Sequence, residues 1–157
     1  MRGRVRRRSE MRMERQGHKE CMLAVIAALQ ERPLAVVRQE ALNVAQSASW
    51  SAEVENPLNY WETVEAVAGP RLYAVLRPLH RSPPPAGLPE TIPSTGRGVV
   101  VVMWPWTSGG GHIMGWQNGL IYDPQSTNPE IPVTLDEWLL LHPRARVHAI
   151  CTIDGGQ

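Results

Sequence analysis

Apolar residues follow one another without a break from Cys21 to Leu29, the longest apolar run in the chain. Alanine, leucine and methionine favour helices, and a helix that is apolar on all sides is typical of a protein interior. The run therefore predicts a buried central helix that begins near Lys19 or Glu20, with Cys21 in its first turn.

Two further helical patterns follow this run. Pro33 suits the first turn of a second helix, because apolar residues recur behind it at helical spacing. Asn56-Pro57 predicts the start of a third helix, and Gly69-Pro70 predicts its end. We expect a first strand over residues 71–77 and then a long proline-rich loop over residues 78–96. Long loops in compact domains are often functional.

The second half of the chain has strand patterns. Gly98 to Trp104 is continuously apolar, which is typical of a central strand buried on both faces. Thr134 and Glu137 form a capping box that predicts a short helix, and residues 146–153 predict a last strand. Helices followed by strands indicate an α+β fold, with N-terminal helices packed on a C-terminal antiparallel sheet of four or five strands.

A β-hairpin is predicted around Asn118-Gly119, because both central residues of a type I′ turn need a positive φ. This turn pairs Trp116 with Ile121 across the hairpin. It also puts His112 and Asp123 on one face as diagonal neighbours. A carboxylate in that place can orient an imidazole ring, as in the histidine and aspartate half of a catalytic triad.

Positive charge is concentrated at the N-terminus. The first 15 residues hold seven arginines and two glutamates, a net charge of +5, whereas the remainder has 9 basic and 13 acidic side chains. We predict a basic, disordered tail over residues 1–13 and a single domain over residues 14–157. The tail is also compatible with a nucleic-acid-binding arm, a transit-like segment or an extension ahead of a start at Met11 or Met13.

The sequence argues against secretion and against membrane insertion. No apolar run has the length and flanks of a secretory signal or of a membrane span, so we expect a cytoplasmic protein. Cys21 and Cys151 could pair only with each other, and a structural disulfide is not expected in that compartment. Fifteen arginines, one lysine and no phenylalanine are typical of a GC-rich coding genome, bacterial or phage.

Cys21 is the candidate nucleophile. A thiol in the first turn of a helix is favoured as thiolate, because the helix dipole stabilises the negative charge. A protonated His112 beside it would lower the pKa of the thiol further. Gln16, five residues upstream, can direct its amide to the same space and donate to a developing oxyanion together with the Cys21 backbone N–H.

The order of these residues resembles that of the papain-like cysteine peptidases. A glutamine and then a cysteine open an apolar helix, Gly-Gly-His follows on a strand, and Asp-Pro closes a hairpin. The chain is most similar to the compact bacterial and phage group that includes the bacteriocin-processing, double-glycine-leader peptidase domains. The resemblance covers about residues 14–45 and 97–125.

This resemblance implies a papain-like α+β fold in which the Cys21 helix packs on the sheet. It implies Cys21 as nucleophile, His112 as general base, Asp123 as the residue that orients the base, and Gln16 in the oxyanion hole. The implied activity is that of a cysteine peptidase or thiol hydrolase that cleaves an amide bond in a peptide or protein, without a cofactor or metal.

Other function classes stay open. An amidase or acyl transferase could use the same scaffold, and so could a catalytically silent binding or inhibitor protein. A reactive thiol distinguishes an enzyme from a binder, because a binder has no need of a low pKa at Cys21. Nucleic-acid binding would involve only the arginine-rich tail and would depend steeply on salt.

Three tryptophans flank the candidate site, namely Trp104, Trp106 and Trp116. They either line a substrate groove or pack the sheet, and packing is the favoured alternative. Cys151 has no partner motif and is expected in the core.

The histidines other than His112 have weaker assignments. His18 with Cys21, His112 and Asp123 is a metal-binding alternative, although zinc sites usually show closer ligand pairs. The remaining three belong to no constellation and are expected at the surface: His80, His142 and His148.

Overall fold

The computed structural model describes residues 10–17, 19–47, 49, 50, 54, 57–105 and 111–153. Within these residues the chain forms four helices and then a sheet of four strands, with a fifth helix inserted before the last strand. In order they are α1 Cys21–Gln30, α2 Leu34–Ala45, α3 Pro57–Ala68, α4 Pro70–Leu79, β1 Arg97–Met103, β2 His112–Gln117, β3 Leu120–Tyr122, α5 Leu135–Leu141 and β4 Arg146–Ile153. The predicted α+β class is confirmed.

The sheet is antiparallel with the strand order β3-β2-β1-β4. β1 therefore has a neighbour on each side, as its continuous apolar pattern predicted. Val99 and Val101 lie in the core that contains α1, whereas Val100 and Val102 lie in a second core that contains Trp138 of α5. The sheet thus separates two apolar layers, and α1 packs on one of them.

The hairpin between β2 and β3 has the predicted register. Trp116 pairs with Ile121, and Asn118 and Gly119 at the turn have φ of 48° and 83°. The turn is tied to the preceding loop, because the Asn118 N–H donates to the Gly96 carbonyl at 2.8 Å. The pairing of Gly115 with Tyr122 at the other end of the hairpin sets the position of the residues that follow β3 relative to those that begin β2.

Residues 71–77 are helical, so the predicted first strand is wrong. Pro70 is the first residue of α4, where proline's missing N–H costs no helical hydrogen bond. Leu76 and Leu79, three residues apart, are buried. Helical spacing and strand alternation overlap over so short a segment, and packing of the leucines against the core selects the helix. Gly69 ends α3 as predicted; Asn56, its expected cap, lies outside the described residues.

The tail predicted over residues 1–13 overlaps residues that belong to the core. Residues 1–9 lie outside the described residues, but Met11 and Met13 are buried in the core. Both contact the position of Gly115 on β2, where an added Cβ would collide with them. The ordered domain therefore includes residues before 14, because glycine at this point of the strand leaves room for two methionines. No helix in the described part of the chain is long and apolar enough to cross a membrane.

Candidate active site

Cys21 lies at the start of α1 because the rest of the helix is anchored in the core. Every residue from Met22 to Leu29 is buried. Cys21 itself is partly buried and has no disulfide partner. As the first helical residue, it has a backbone N–H without a helical acceptor.

Glu20 holds the loop that precedes the cysteine. Its carboxylate accepts the Gly17 N–H at 2.7 Å and pairs with the Arg38 guanidinium of α2 at 2.5 and 2.7 Å. Burial raises the pKa of Glu20, but the hydrogen bonds from Arg38 and Gly17 outweigh burial and lower it. The ionised carboxylate thus joins the start of α1 to α2 and fixes the position of Cys21.

His112 and Asp123 meet as the hairpin predicted. His112 is the first residue of β2 and Asp123 follows β3, and both are buried. The His112 Nε2 and Asp123 Oδ1 atoms lie 2.7 Å apart. With Nε2 turned to the carboxylate, Nδ1 is the ring nitrogen left for the cysteine.

The sulfur of Cys21 faces the His112 side chain and the backbone N–H groups of Ile113 and Met22, closely enough for each of them to stabilise its negative charge. Burial raises the pKa of the thiol, but these interactions and the charge of His112 outweigh it and lower the pKa. The three predicted triad residues are therefore brought together by α1 and the hairpin.

The pKa of His112 moves in the opposite direction. Burial lowers it, but the hydrogen bonds to Asp123 and then to Cys21, with the charges of both, raise it to about 9. A lowered pKa of the thiol and a raised pKa of the imidazole favour a thiolate–imidazolium pair. This is the charge state in which cysteine is a nucleophile.

Asp123 accepts hydrogen bonds at both carboxylate oxygens. Oδ1 accepts the Gln125 N–H at 2.9 Å in addition to His112, and Oδ2 accepts the Trp138 indole N–H at 2.9 Å. Burial raises the pKa of Asp123, but the hydrogen bond and charge of His112, then the donors Trp138 and Gln125, lower it. The carboxylate is therefore ionised and held by three donors.

Trp138 reaches Asp123 because of the local structure of α5. Thr134 and Glu137 form the predicted capping box, in which the Thr134 hydroxyl accepts the Glu137 N–H at 3.1 Å. Trp138 follows at the next position and is buried in the second core. The sequence predicted this helix but gave no role to Trp138, since nothing local links an indole to a carboxylate 15 residues away.

The backbone of Gln16 lies beside the end of the hairpin, next to the residue that follows Asp123. The Gln16 N–H donates to the Pro124 carbonyl at 2.8 Å, which places the two residues side by side. Its side-chain nitrogen donates to the Gly17 carbonyl at 3.3 Å, and its side-chain oxygen is buried without a hydrogen-bond partner among the described residues. Its assignment to the oxyanion hole stays a prediction.

The three flanking tryptophans have different outcomes. Trp116 is fully buried, and its indole N–H donates to the Cys151 carbonyl at 3.0 Å, so it packs the sheet and does not line a groove. Trp106 lies outside the described residues. Trp104 is partly buried, with its ring centroid 6.3 Å from that of His112 and 6.2 Å from that of Trp138. A groove role therefore stays a prediction for Trp104 and Trp106.

Tyr60 approaches the site from α3 and was not predicted. Burial and then the charge of Cys21 raise the pKa of its hydroxyl well above the usual range. Its ring lies 5.5 Å from that of Trp50 and 4.9 Å from that of Trp61. The helical layer thus brings the Tyr60 hydroxyl close enough to Cys21 for an electrostatic interaction, which depends on tertiary packing and leaves no local sequence signal.

A cavity of about 500 Å³ reaches the Asp123 end of the triad, and neither Cys21 nor His112 lines it. Its lining includes Asp123, Trp104 and Trp138, and its edge includes the exposed apolar side chains Ile131 and Leu141. It is large enough for several side chains of a bound polypeptide.

The other cysteine and the other histidines lie apart from this cluster or only at its edge. Cys151 is buried as predicted, and burial raises the pKa of its thiol to about 11. His80, His142 and His148 are partly buried rather than at the open surface, and each has a ring nitrogen within hydrogen-bond distance of a backbone carbonyl. His18 lies outside the described residues; among those described, no group of three or more His, Cys, Asp or Glu side chains is arranged to hold a metal ion.

Comparison with protein-family models, with curated proteins and with solved structures finds no match to this chain. Its function is therefore inferred from the geometry and the charges of its own residues.

Proposed function

We propose that this protein is a cysteine peptidase-like thiol hydrolase with a papain-like arrangement of Cys21, His112 and Asp123. The observation that carries the proposal is the arrangement of thiol, imidazole and carboxylate: His112 and Asp123 lie 2.7 Å apart, the pKa of Cys21 is lowered beside His112, and that of His112 is raised to about 9. Burial alone would raise the pKa of Cys21 and lower that of His112, so the polar contacts of the site must stabilise the ion pair.

The first half of the reaction forms an acyl-enzyme. His112 holds the proton of Cys21, and the thiolate attacks the carbonyl carbon of an amide. The backbone N–H of Cys21 is positioned to donate to the oxyanion. Gln16 would be a second donor if its amide turned from Gly17 toward the site. The imidazolium then protonates the leaving amine, and the C–N bond breaks.

The second half releases the acyl group. His112, now neutral, takes a proton from water, and the resulting hydroxide attacks the thioester carbon. Collapse of the tetrahedral intermediate breaks the C–S bond and restores the thiolate–imidazolium pair. Asp123 keeps the ring oriented and stabilises its positive charge in both halves.

The proposed substrate is a peptide or protein. The cavity beside Asp123 offers apolar and aromatic surface to side chains that flank the cleaved bond. An amidase or an acyl transferase would share every step up to the thioester and differ in the acceptor. We expect the reaction to take place in the cytoplasm, as predicted from the sequence.

The test is the pH dependence of Cys21 alkylation by iodoacetamide in a Cys151→Ser background. We expect an apparent pKa well below the free value of about 8.5, and we expect this shift to disappear in His112→Ala. Reaction of thiolate is followed by mass spectrometry of the intact protein, so no substrate needs to be known.

The matched control is His148→Ala, which removes a partly buried histidine that bonds to the Arg81 carbonyl. It should keep the wild-type profile. A thiol that titrates as a free cysteine in the wild type, or that is indifferent to His112, would contradict the proposal and favour a silent binding protein. If the shift is present, peptide-library cleavage with Cys21→Ser as the blank then distinguishes hydrolase from binder.

A further inference from the structure

We propose that Trp138 is a positioning residue of this site: its indole N–H fixes the orientation of the Asp123 carboxylate toward His112. This inference rests on the proposed function, since it assigns a role within the same triad. It starts from a contact that the triad itself does not need, the bond of 2.9 Å between Trp138 Nε1 and Asp123 Oδ2.

The geometry explains why this donor matters. A carboxylate can rotate about its terminal bond, and a single contact through Oδ1 to His112 does not fix that rotation. The Gln125 N–H also binds Oδ1, so Trp138 is the donor that holds Oδ2. With both oxygens bound, the carboxylate plane is set and the His112 ring is set with it.

Trp138 is itself held in place, as a positioning residue must be. The capping box at Thr134 fixes the start of its helix. The His142 ring stacks on the indole with centroids 4.0 Å apart and planes at 15°, and the Trp104 ring packs against it at a tilt. The direction of the indole N–H is therefore determined by the protein rather than chosen by the side chain.

The contact also stabilises charge. The titratable groups that interact here are Cys21 and Tyr60 from the helical layer and His112 and Asp123 from the hairpin. A fifth titratable group, His142, stacks on the indole from the end of α5. An indole N–H bonded to a buried carboxylate favours its anionic form. The anion in turn holds the imidazolium, and the imidazolium holds the thiolate, so the effect of Trp138 reaches the sulfur through two intermediate groups.

The experiment compares Trp138→Phe with Trp116→Phe, both in the Cys151→Ser background. Each change removes one buried indole donor from the same core, but only Trp138 donates to Asp123, whereas Trp116 donates to a backbone carbonyl. We expect Trp138→Phe to slow Cys21 alkylation at pH 6 by roughly tenfold, because loss of a hydrogen bond to the charged carboxylate weakens the ion pair that keeps the thiol ionised. The rate should recover at pH 9.5, where the thiol is ionised without help.

Trp116→Phe should leave the alkylation profile at the wild-type position. A pH-independent slowing, or an equal shift in both variants, would overturn the inference in favour of a merely structural role. If the wild type has a lowered pKa at Cys21 and Trp138→Phe keeps it, only this inference fails. An ordinary pKa at Cys21 in the wild type would overturn the proposed function together with it.

A second measurement uses the wild-type protein and therefore does not depend on whether a variant folds. The indole resonances of ¹⁵N-tryptophan-labelled protein report each N–H directly. The Trp138 resonance should shift when Cys21 is alkylated and should titrate with the Cys21–His112 pair, while that of Trp116 should not. An unmoved Trp138 resonance would overturn the inference.

Discussion

At the scale of single residues, the buried charge of Glu20 must be neutralised for the start of α1 to be stable. Glu20 is a buried carboxylate immediately before the proposed nucleophile, and Arg38 neutralises it through two hydrogen bonds. A buried charge that loses its partner keeps its desolvation cost, so the pair matters more for what its disruption costs than for what its presence gains.

Arg38→Met should destabilise the protein by about 1–3 kcal/mol, because Glu20 would keep its burial and lose its cation. Methionine retains most of the apolar length of the arginine side chain, so the loss is electrostatic. Urea unfolding at pH 7 measures the change in the free energy of unfolding.

The control for this change is Arg32→Met. Arg32 pairs with Glu40, but both side chains are substantially exposed. Exposed pairs contribute under about 1 kcal/mol, so this variant should stay close to the wild type. Equal losses in the two variants would mean that the burial of Glu20 has no special consequence.

At the scale of elements, the hairpin and α5 contribute differently to the site. The sequence predicted both elements, but it predicted a contact within the site only for the hairpin. Asn118-Gly119 leaves one hairpin register, and from that register the meeting of His112 and Asp123 followed. Trp138 could not be placed from sequence, because its contact with Asp123 depends on how α5 packs on the sheet. Adjacent residues determine the type of a turn, so a turn can be predicted from sequence. Packing between distant elements depends on the whole fold and cannot be predicted in this way.

The same distinction explains the prediction that was wrong. Residues 71–77 alternate enough to suggest a strand, and only the burial of Leu76 and Leu79 against the core selects α4. Gln16 is a further case. Its proximity to the hairpin is real in the backbone, through Pro124, while the direction of its amide depends on contacts in three dimensions.

Thr134→Ala tests the contribution of the α5 capping box. It removes the hydroxyl that accepts the Glu137 N–H, so we expect a loss of about 1 kcal/mol in the free energy of unfolding. Because Trp138 lies in the first turn of that helix, Cys21 alkylation at pH 6 should slow as well.

Thr134→Ser keeps the hydroxyl and is the matched variant. It should retain both the stability and the alkylation profile, measured by urea unfolding and by mass spectrometry respectively. Loss of stability in the serine variant would show that the threonine methyl group, rather than the cap, is what stabilises the start of α5.

At the scale of the whole molecule, the proposed ion pair joins a helical layer from the N-terminal half of the chain to a sheet from the C-terminal half. Cys21 belongs to α1, which is buried on the helical side, whereas His112 and Asp123 belong to the hairpin. The N-terminal segment adds a second tie, since Met11 and Met13 fill the space left by Gly115. The site therefore exists only when both halves are assembled, and its protonation state is linked to global stability.

This linkage makes a prediction about stability against pH. In the unfolded chain histidine titrates near a pKa of about 6.5 and cysteine near about 8.5. Between these values the unfolded state has a neutral imidazole and a protonated thiol, whereas the proposed folded state has an imidazolium and a thiolate. Both states then bind one proton at this pair, so the pair gives the wild type no slope of stability with pH in that window.

Cys21→Ser removes this cancellation. The folded state still holds a proton on His112, whose pKa is raised by Asp123, while the unfolded state does not. Stability should therefore be highest below about pH 6.5 and fall as pH rises through the folded pKa of His112, by up to about 1.4 kcal/mol per pH unit. Urea unfolding from pH 6 to 8 measures this slope, and Cys151→Ser, which removes a thiol that stays neutral in both states over most of this range, should show none. A wild type as steep as Cys21→Ser would mean that Cys21 is a neutral thiol in the folded protein, and an equally flat pair of curves would mean that His112 is not protonated there.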